Sequence, residues 1–323
     1  MYHLKDLHIR LTTECNLNCI HCYAADWSQY KYVLECELVK RIITEAIELG
    51  CVSVTFSGGE PFLHPQIFEL LRFCHKTKLK INVESNGTLI DIRRIGFLKD
   101  NKGFKLKISY DGDVLRGINS NIIKKNIKAL KKEGFNTIIQ TVITKLNENE
   151  LDSILSFSKE CKIEHRLFLG HSRSGNGVNI PNFTVEEVLI MKEEINKKYS
   201  HVEIELPERI SGKKQKGCGW GISRCEIMPN GDVTSCAPLT YFQRNFIAGN
   251  IRDFSLKELW ESEYFVRLRT LKQNQYEGVC SACKFFDECR GSCRSVSASI
   301  GGHILSSYPY CEQYANSLCY GIK

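Results

Sequence analysis

Cys15, Cys19 and Cys22 stand in the run Thr-Thr-Glu-Cys-Asn-Leu-Asn-Cys-Ile-His-Cys-Tyr, residues 12–23, with the spacing C-x3-C-x2-C. Three soft thiolates on one short loop suit iron–sulfur, zinc or copper(I). The usual iron–sulfur and zinc sites take four protein ligands. Here the local count stops at three. A 4Fe–4S cluster held by three cysteines keeps one iron open to a substrate or cofactor, and such a loop reads as catalytic. A zinc knuckle and a redox-sensing thiol group are the alternatives that the triad alone leaves standing.

Most of the other cysteines gather in the last third of the chain. Cys218 and Cys225 precede Gly231, and Cys236 lies five residues after that glycine. Met228–Cys236 reads as a hairpin turning at Asn230-Gly231. Cys280, Cys283, Cys289 and Cys293 follow as C-x2-C-x5-C-x3-C, with Cys311 farther on. Zinc ribbons use C-x2-C pairs too. Cys36, Cys51, Cys74 and Cys161 fall on helices or strands of the first half and read as small buried hydrophobes.

Regular elements must hold these loops. Residues 7–11 make a short strand that runs into the cysteine loop. Residues 35–49 carry Leu38, Ile42, Ala46 and Leu49 on a helical stripe, stopped by Gly50. Residues 51–56 read as a buried strand. The pattern repeats as helix 65–75, strand 79–84, helix 89–99, strand 104–109, helix 120–133, strand 136–143, helix 148–160 and strand 162–169. Six strands alternating with helices argue for an α/β chain with a parallel sheet. No internal repeat is visible. Residues 184–199 form a helix opened by Thr184, with Glu187 to complete a capping box. Residues 207–217 read as a linker or lid, and Leu256–Leu271 as another helix.

In parallel barrels the reactive groups sit at the C-terminal ends of strands. Ser57-Gly58-Gly59-Glu60-Pro61 follows the strand at 51–56, where glycines let backbone approach a ligand. Ser85-Asn86-Gly87 ends the next strand. Ser109-Tyr110-Asp111-Gly112 ends the one after, with Arg116-Gly117 beyond. Val142 lies on strand 136–143, and Asn147 beyond its end. Strand 162–169 leads to Gly170-His171-Ser172-Arg173. Each of these is also ordinary turn or core chemistry. Arg166 and Arg173 are both able to face an anion.

Together the triad and these strand-end motifs resemble the radical S-adenosylmethionine (SAM) enzymes. The cysteine order from Cys218 onward resembles the SPASM extension of that family. The resemblance covers nearly the whole chain. It implies a partial (β/α)6 TIM-like barrel over 1–183, a bridging helix and linker over 184–217, and a small cysteine-rich Fe–S domain over 218–323. Three 4Fe–4S clusters are implied. Cys15, Cys19 and Cys22 would hold the one that binds SAM. Cys218, Cys225, Cys236 and Cys293 would hold a first auxiliary cluster. Cys280, Cys283, Cys289 and Cys311 would hold a second, with Cys319 able to replace Cys311. By the same resemblance His21 and Val142 lie near adenine, and Gly58, Gly59 and Glu60 near the SAM amino group. Ser85, Asn86 and Asp111 lie near ribose and substrate, and Ser109 and Arg116 near the SAM carboxylate, which a guanidinium suits.

The implied activity is reductive cleavage of SAM to a 5′-deoxyadenosyl radical that takes hydrogen from a substrate. A ribosomally made peptide is the preferred substrate, to be crosslinked, epimerised or oxidised. A small metabolite such as an amino sugar, or a non-catalytic Fe–S electron carrier, are the other readings. Sulfatase maturases place an Asp directly after the third cysteine of the first auxiliary set. Here that residue is Ala237, which counts against that substrate. Partners expected are an external one-electron donor such as flavodoxin or ferredoxin and a separate leader-binding protein. Only 14 residues precede Cys15, too few for a leader-binding domain.

Composition narrows the classes. The chain has 323 residues, 42% hydrophobic and 25% charged, ordinary for a globular protein. It contains neither an 18-residue apolar run nor a signal-peptide pattern, so a cytoplasmic, non-membrane protein is expected. Sixteen cysteines in such a chain point to metal. The formal charge of +7 counts them neutral, and cluster thiolates would remove roughly five units. Lysines are scattered, so no nucleic-acid partner is expected.

Overall fold

The computed structural model of the chain describes residues 2–171, 174–214, 217–241 and 245–319. Six parallel strands follow one another in chain order: β1 (Asp6–Arg10), β2 (Ser53–Ser57), β3 (Lys80–Ser85), β4 (Phe104–Ser109), β5 (Thr137–Ile143) and β6 (Glu164–Leu169). Helices Cys36–Glu48, Ile67–His75, Asn121–Lys132 and Leu151–Cys161 return the chain between them. Alternation of short strands and amphipathic helices therefore gives the expected partial barrel. The segment expected as helix 89–99 is only Ile92–Ile95 followed by a 3-10 turn, Gly96–Leu98. Gly96 sits where the helix would propagate, and glycine is poor there.

Register explains which face is which. Leu7 pairs with Val54, Val54 with Ile81 and Ile81 with Phe104. Those residues form one core with Ile42, Ile43, Leu70, Leu71 and Ile127 of the helices. Side chains alternate along a strand, so His8, Thr55, Asn82, Glu84 and Lys107 lie on the other face. The sheet is apolar toward its helices and polar toward its lumen. Residues 51–56 were expected as a buried strand, and β2 is buried on one face and half-buried on the other.

Both ends of the sheet grow beyond the six strands. β7 (Val202–Ile204) adds parallel to β6. Three residues are too few to show a period in sequence. At the opposite end, β8 (Arg224–Ile227) lies parallel to β1. The hairpin expected at Asn230-Gly231 returns as β9 (Asp232–Thr234), and β10 (Gly249–Asn250) completes a ten-stranded sheet. The hairpin of the cysteine-rich half thus continues the sheet of the first half.

Helix Val185–Lys198 starts with the expected capping box of Thr184 and Glu187. The segment expected as helix 256–271 is two helices, Leu256–Trp260 and Glu263–Thr270. Ser262 breaks it with extended backbone, and its hydroxyl donates to the Leu259 carbonyl at 2.7 Å. Of the expected linker, Glu208–Ser211 is a single helical turn, and Gln215 and Lys216 lie outside the described residues. Among the described residues, no helix is long and apolar enough to cross a membrane.

Candidate active site and cluster-binding cysteines

Because β1 to β6 run parallel, the loops after them meet on one rim. The loop after β1 carries the cysteine triad, and the turn after β2 is zipped to it. Gly59 N–H donates to Thr12 O at 2.7 Å, and Glu60 N–H to Glu14 O at 2.8 Å. A Cβ on Gly59 would lie 2.1 Å from Glu14 O, and one on Gly58 2.5 Å from Thr12 O. Only glycine permits this approach. The peptide edges of Gly58 and Gly59 stay beside the cysteines. One cavity is lined by Cys15, Cys19, Cys22, Gly58, Gly59 and, from the second half, Tyr241.

Glu60 does not present its carboxylate to that cavity. It is wholly buried and accepts from Ser85 Oγ at 2.9 Å, Asn86 N–H at 2.8 Å and Phe62 N–H at 3.1 Å. It ties the ends of β2 and β3 together. Asn86 reaches the triad itself, with its Nδ2 2.9 Å from Asn16 Oδ1 and 3.9 Å from the Cys15 sulfur.

The loop after β4 supplies a charged cluster. Asp111 is paired with Arg116, and its Oδ2 lies 3.3 Å from His21 Nε2. Its Oδ1 accepts the Val142 N–H at 2.7 Å. Burial pushes the Asp111 carboxyl up, but Arg116 and His21 outweigh that and hold it down at about 2. It is thus a carboxylate at neutral pH. Arg116 also lies 3.7 Å from the Cys19 sulfur. Asn147 donates to the carbonyls of Asp111 at 2.9 Å and Val142 at 3.1 Å. Ser109 ends β4 opposite Gln140, half-buried. His21, Asp111, Arg116 and Val142 are therefore drawn together beside the triad.

The triad is held from a direction that sequence did not indicate. Asn176 donates its N–H to Cys22 O and its Nδ2 to Cys19 O, both at 3.0 Å. Ser174 donates to Tyr23 O at 2.7 Å. Gly-Asn-Gly after β6 was the available signal, as glycines permit a close approach. Arg173 lies outside the described residues, and Arg166 is spent on Glu164 at 3.0 Å. Aromatic rings were missed as well. Tyr23 and Trp27 pack edge-on against Tyr241, at 5.4 and 5.2 Å between centroids.

Cys280, Cys283, Cys289 and Cys311 line one small cavity together with Arg209. Arg209 lies against Cys283, Cys311 and Cys280, a cation facing this thiol set. Cys311 occupies the place for which Cys319 was the substitute, and the Cys319 side chain lies outside the described residues. Cys218, Cys236 and Cys293 are within electrostatic reach of one another. Cys225 is not brought to them. It is wholly buried in the apolar layer with Leu7, Ile9 and Cys51.

Among the described residues, one trio of His, Cys, Asp or Glu ligand atoms lies within 4.8 Å of one another: Cys36, Glu37 and Glu69. The Lys40 ammonium fills it, 2.6 Å from Glu37 and 2.5 Å from Glu69. All the cysteine groups are spread wider. Zinc–sulfur bonds of about 2.3 Å put tetrahedral sulfurs only about 3.8 Å apart.

Comparison with known proteins agrees with this geometry. The profile of the Radical SAM superfamily matches residues 9–158, and that of the SPASM iron-sulfur cluster-binding domain residues 218–284. The chain belongs to the radical SAM superfamily and carries a SPASM domain. It is an enzyme. An AdoMet-dependent heme synthase of Methanosarcina barkeri is 28% identical over 93% of this chain and 94% of its own. The mycofactocin maturase of Mycolicibacterium smegmatis is 27% identical over 94% of this chain and 81% of its own. Streptococcus suis SuiB, crystallised with its precursor peptide SuiA, shares the fold, with a TM-score of 0.80 at 19% identity over 96% of this chain and 76% of SuiB. The radical SAM fold explains the rim, and the SPASM domain the second gathering of cysteines.

Proposed function

We propose that this radical SAM enzyme takes a hydrogen atom from a ribosomally synthesised peptide and leaves it crosslinked, epimerised or oxidised. The observation that carries the radical chemistry is the shared cavity of Cys15, Cys19, Cys22, Gly58 and Gly59, flanked by the Asp111–Arg116 pair. Bound there, a 4Fe–4S cluster and SAM supply the reductive formation of the 5′-deoxyadenosyl radical. The protein's own residues position and shield. Cys15, Cys19 and Cys22 are the thiolates. Gly58 and Gly59 offer backbone to an ammonium group. Asp111 fixes Arg116 and His21 in one orientation and is ionised throughout. Arg116 adds positive charge beside Cys19.

The peptide reading is supported by similarity to a mycofactocin maturase across nearly the whole chain. Cys280, Cys283, Cys289 and Cys311 would hold one auxiliary cluster, and the set around Cys236 another. Both would pass an electron onward. An external one-electron donor such as flavodoxin or ferredoxin, and a separate leader-binding protein, complete the system.

A second reading has its own support. Similarity to a heme synthase over 93% of the chain favours oxidation of a small molecule. One experiment separates them. Reduced, reconstituted enzyme is given SAM with either the small peptides encoded beside its gene or an iron porphyrin, and products are followed by mass spectrometry. Loss of hydrogen or a new bond in a peptide supports the first reading. An unchanged peptide with a converted tetrapyrrole replaces it by the second. Absence of 5′-deoxyadenosine in every mixture overturns both.

A further inference from the structure

Helix Asn121–Lys132 carries five lysines and no Asp or Glu. Lys124 and Lys128, four residues apart, share one face of it. With Lys125 they line a groove against helix Leu151–Cys161, which contributes Phe157 and Glu160. Three ammonium groups thus meet one carboxylate there. Glu160 is 3.1 Å from Lys128 in an exposed pair, and such pairs are worth little. Among the described residues, neither Lys124 nor Lys125 is paired with a carboxylate. Lys124 Nζ lies instead over the rings of Tyr110 and Phe157, 5.7 and 6.0 Å from their centroids. Glu150 and Asp152, at the start of the second helix, are turned to other partners. Glu150 accepts from the Asp113 and Val114 N–H groups at 2.9 and 3.1 Å, and Asp152 from the Tyr199 hydroxyl at 2.8 Å. The fold therefore gathers a basic groove on the outside of the barrel.

The head of the lysine helix is fastened to the cysteine loop. Ser120 N–H donates to Asp113 Oδ1 at 2.9 Å. Asp113 belongs to the short helix Gly112–Arg116. That helix also carries Arg116, 3.7 Å from the Cys19 sulfur, and Leu115, whose carbonyl accepts the Ile20 N–H at 3.1 Å. One short segment thus spans from the groove to the main chain beside Cys19. Val114 and Ile122 on this stretch are exposed apolar side chains. A small, charged footprint suits a partner that must arrive and leave repeatedly. Electron-transfer encounters are of this kind, and bury less than about 1,200 Å².

We infer that the groove of Lys124, Lys125 and Lys128 is the docking site of an acidic protein that carries a one-electron centre. The inference rests on the reading above that an external donor serves this enzyme, and says where that donor lands. Opposite charge steers it to the groove. Val114 and Leu115 then bring it to one hydrogen bond from the residue that follows Cys19. In the step served, the donor loses one electron and the site of the triad gains it, and no bond or proton moves. An acidic leader of a substrate peptide is the other occupant that the charge alone would accept. The connection to Cys19 favours the donor, because a leader needs no route to that cysteine.

The test uses the full chain, with an acidic flavodoxin and an acidic ferredoxin as probes. Binding of each oxidised probe is measured by titration calorimetry. Formation of 5′-deoxyadenosine is measured with each reduced probe and, separately, with dithionite. Lys124→Gln/Lys125→Gln/Lys128→Gln removes the charge and keeps good helix formers. Lys76→Gln/Lys78→Gln/Lys80→Gln makes the same change of charge at the opposite rim, where β3 begins. The groove variant is expected to bind a donor about tenfold more weakly, or worse, and to form 5′-deoxyadenosine more slowly with that donor but not with dithionite. The opposite-rim variant is expected to match wild type. Wild-type binding should vanish in about 1 M salt, where the screening length is about 3 Å. Unchanged binding by the groove variant overturns the inference, as do an equal loss in the opposite-rim variant and binding that survives that salt. So does a groove variant that keeps the donor but no longer binds the small peptides encoded beside the gene, which makes the groove a leader site. A wild-type protein that cleaves SAM with dithionite yet binds neither probe removes instead the underlying reading of an external acidic donor.

Discussion

Nη1 of Arg116 lies 3.7 Å from the sulfur of Cys19, although the two residues are 97 positions apart. The same guanidinium is paired with Asp111, which accepts the Val142 N–H. One arginine thus joins the ends of β4 and β5 to the cysteine loop. Arg116→Met leaves Asp111 buried without its cation, at a cost of about 3–5 kcal/mol. Its unfolding midpoint is expected to fall. The Asp111→Asn/Arg116→Met double variant should recover much of the stability but not 5′-deoxyadenosine formation. Recovery of both would show the pair to be structural only.

Gly59 is expected to tolerate no side chain. Its Cβ would meet the Glu14 carbonyl oxygen at 2.1 Å and carbon at 2.6 Å. These are backbone atoms of the triad loop and have no rotamer to escape into. Gly59→Ala should therefore push that loop away and cost more than 100-fold in SAM cleavage, roughly the loss expected from misplacing reacting groups by 1 Å. Iron held by the cysteines of the SPASM domain should be retained. The measurement is 5′-deoxyadenosine yield together with iron per chain.

Glu60 should act on stability before it acts on chemistry. Replacing it with Ala leaves the buried Asn86 N–H and the part-buried Phe62 N–H without acceptors. Each such loss costs about 1–3 kcal/mol. Glu60→Gln keeps an acceptor oxygen and should lose less. Thermal unfolding of the two variants orders them, and equal losses would remove the clamp role.

His165 makes the fold sensitive to acid. It is fully buried, with Nε2 2.8 Å from Thr141 Oγ1. Burial, aided by His201, pushes its pKa from 6.5 down to about 3. At neutral pH the ring is uncharged in both the folded and the unfolded chain. Below pH 6.5 the unfolded chain takes up a proton that the folded chain refuses, so stability falls as pH falls toward about 3. From about pH 7 to about pH 5 the loss is about 2 kcal/mol. His165→Gln should lose less over that interval, and equal falls in the two midpoints would contradict the assignment.

Local residue patterns were enough to locate the chemistry-bearing loops and the order of their supports. C-x3-C-x2-C, Gly58-Gly59 and Asp111…Arg116 are local patterns, each at the end of a strand whose alternation was legible. Parallel topology then required these ends to share a rim, and they do. Which way each side chain points was settled by packing between distant segments. Glu60, a motif residue, turns inward to Ser85 and Asn86. Asn176 and Ser174 hold the triad loop from 157 and 151 residues away in sequence, through bonds to main-chain oxygens that no side-chain pattern announces. Cys225 has the spacing of a ligand but faces the helix layer. A spacing fixes how far apart two residues sit along the chain. The face on which a strand residue lands is fixed by its register with a neighbour, and β8 finds that neighbour in β1, more than 200 residues earlier.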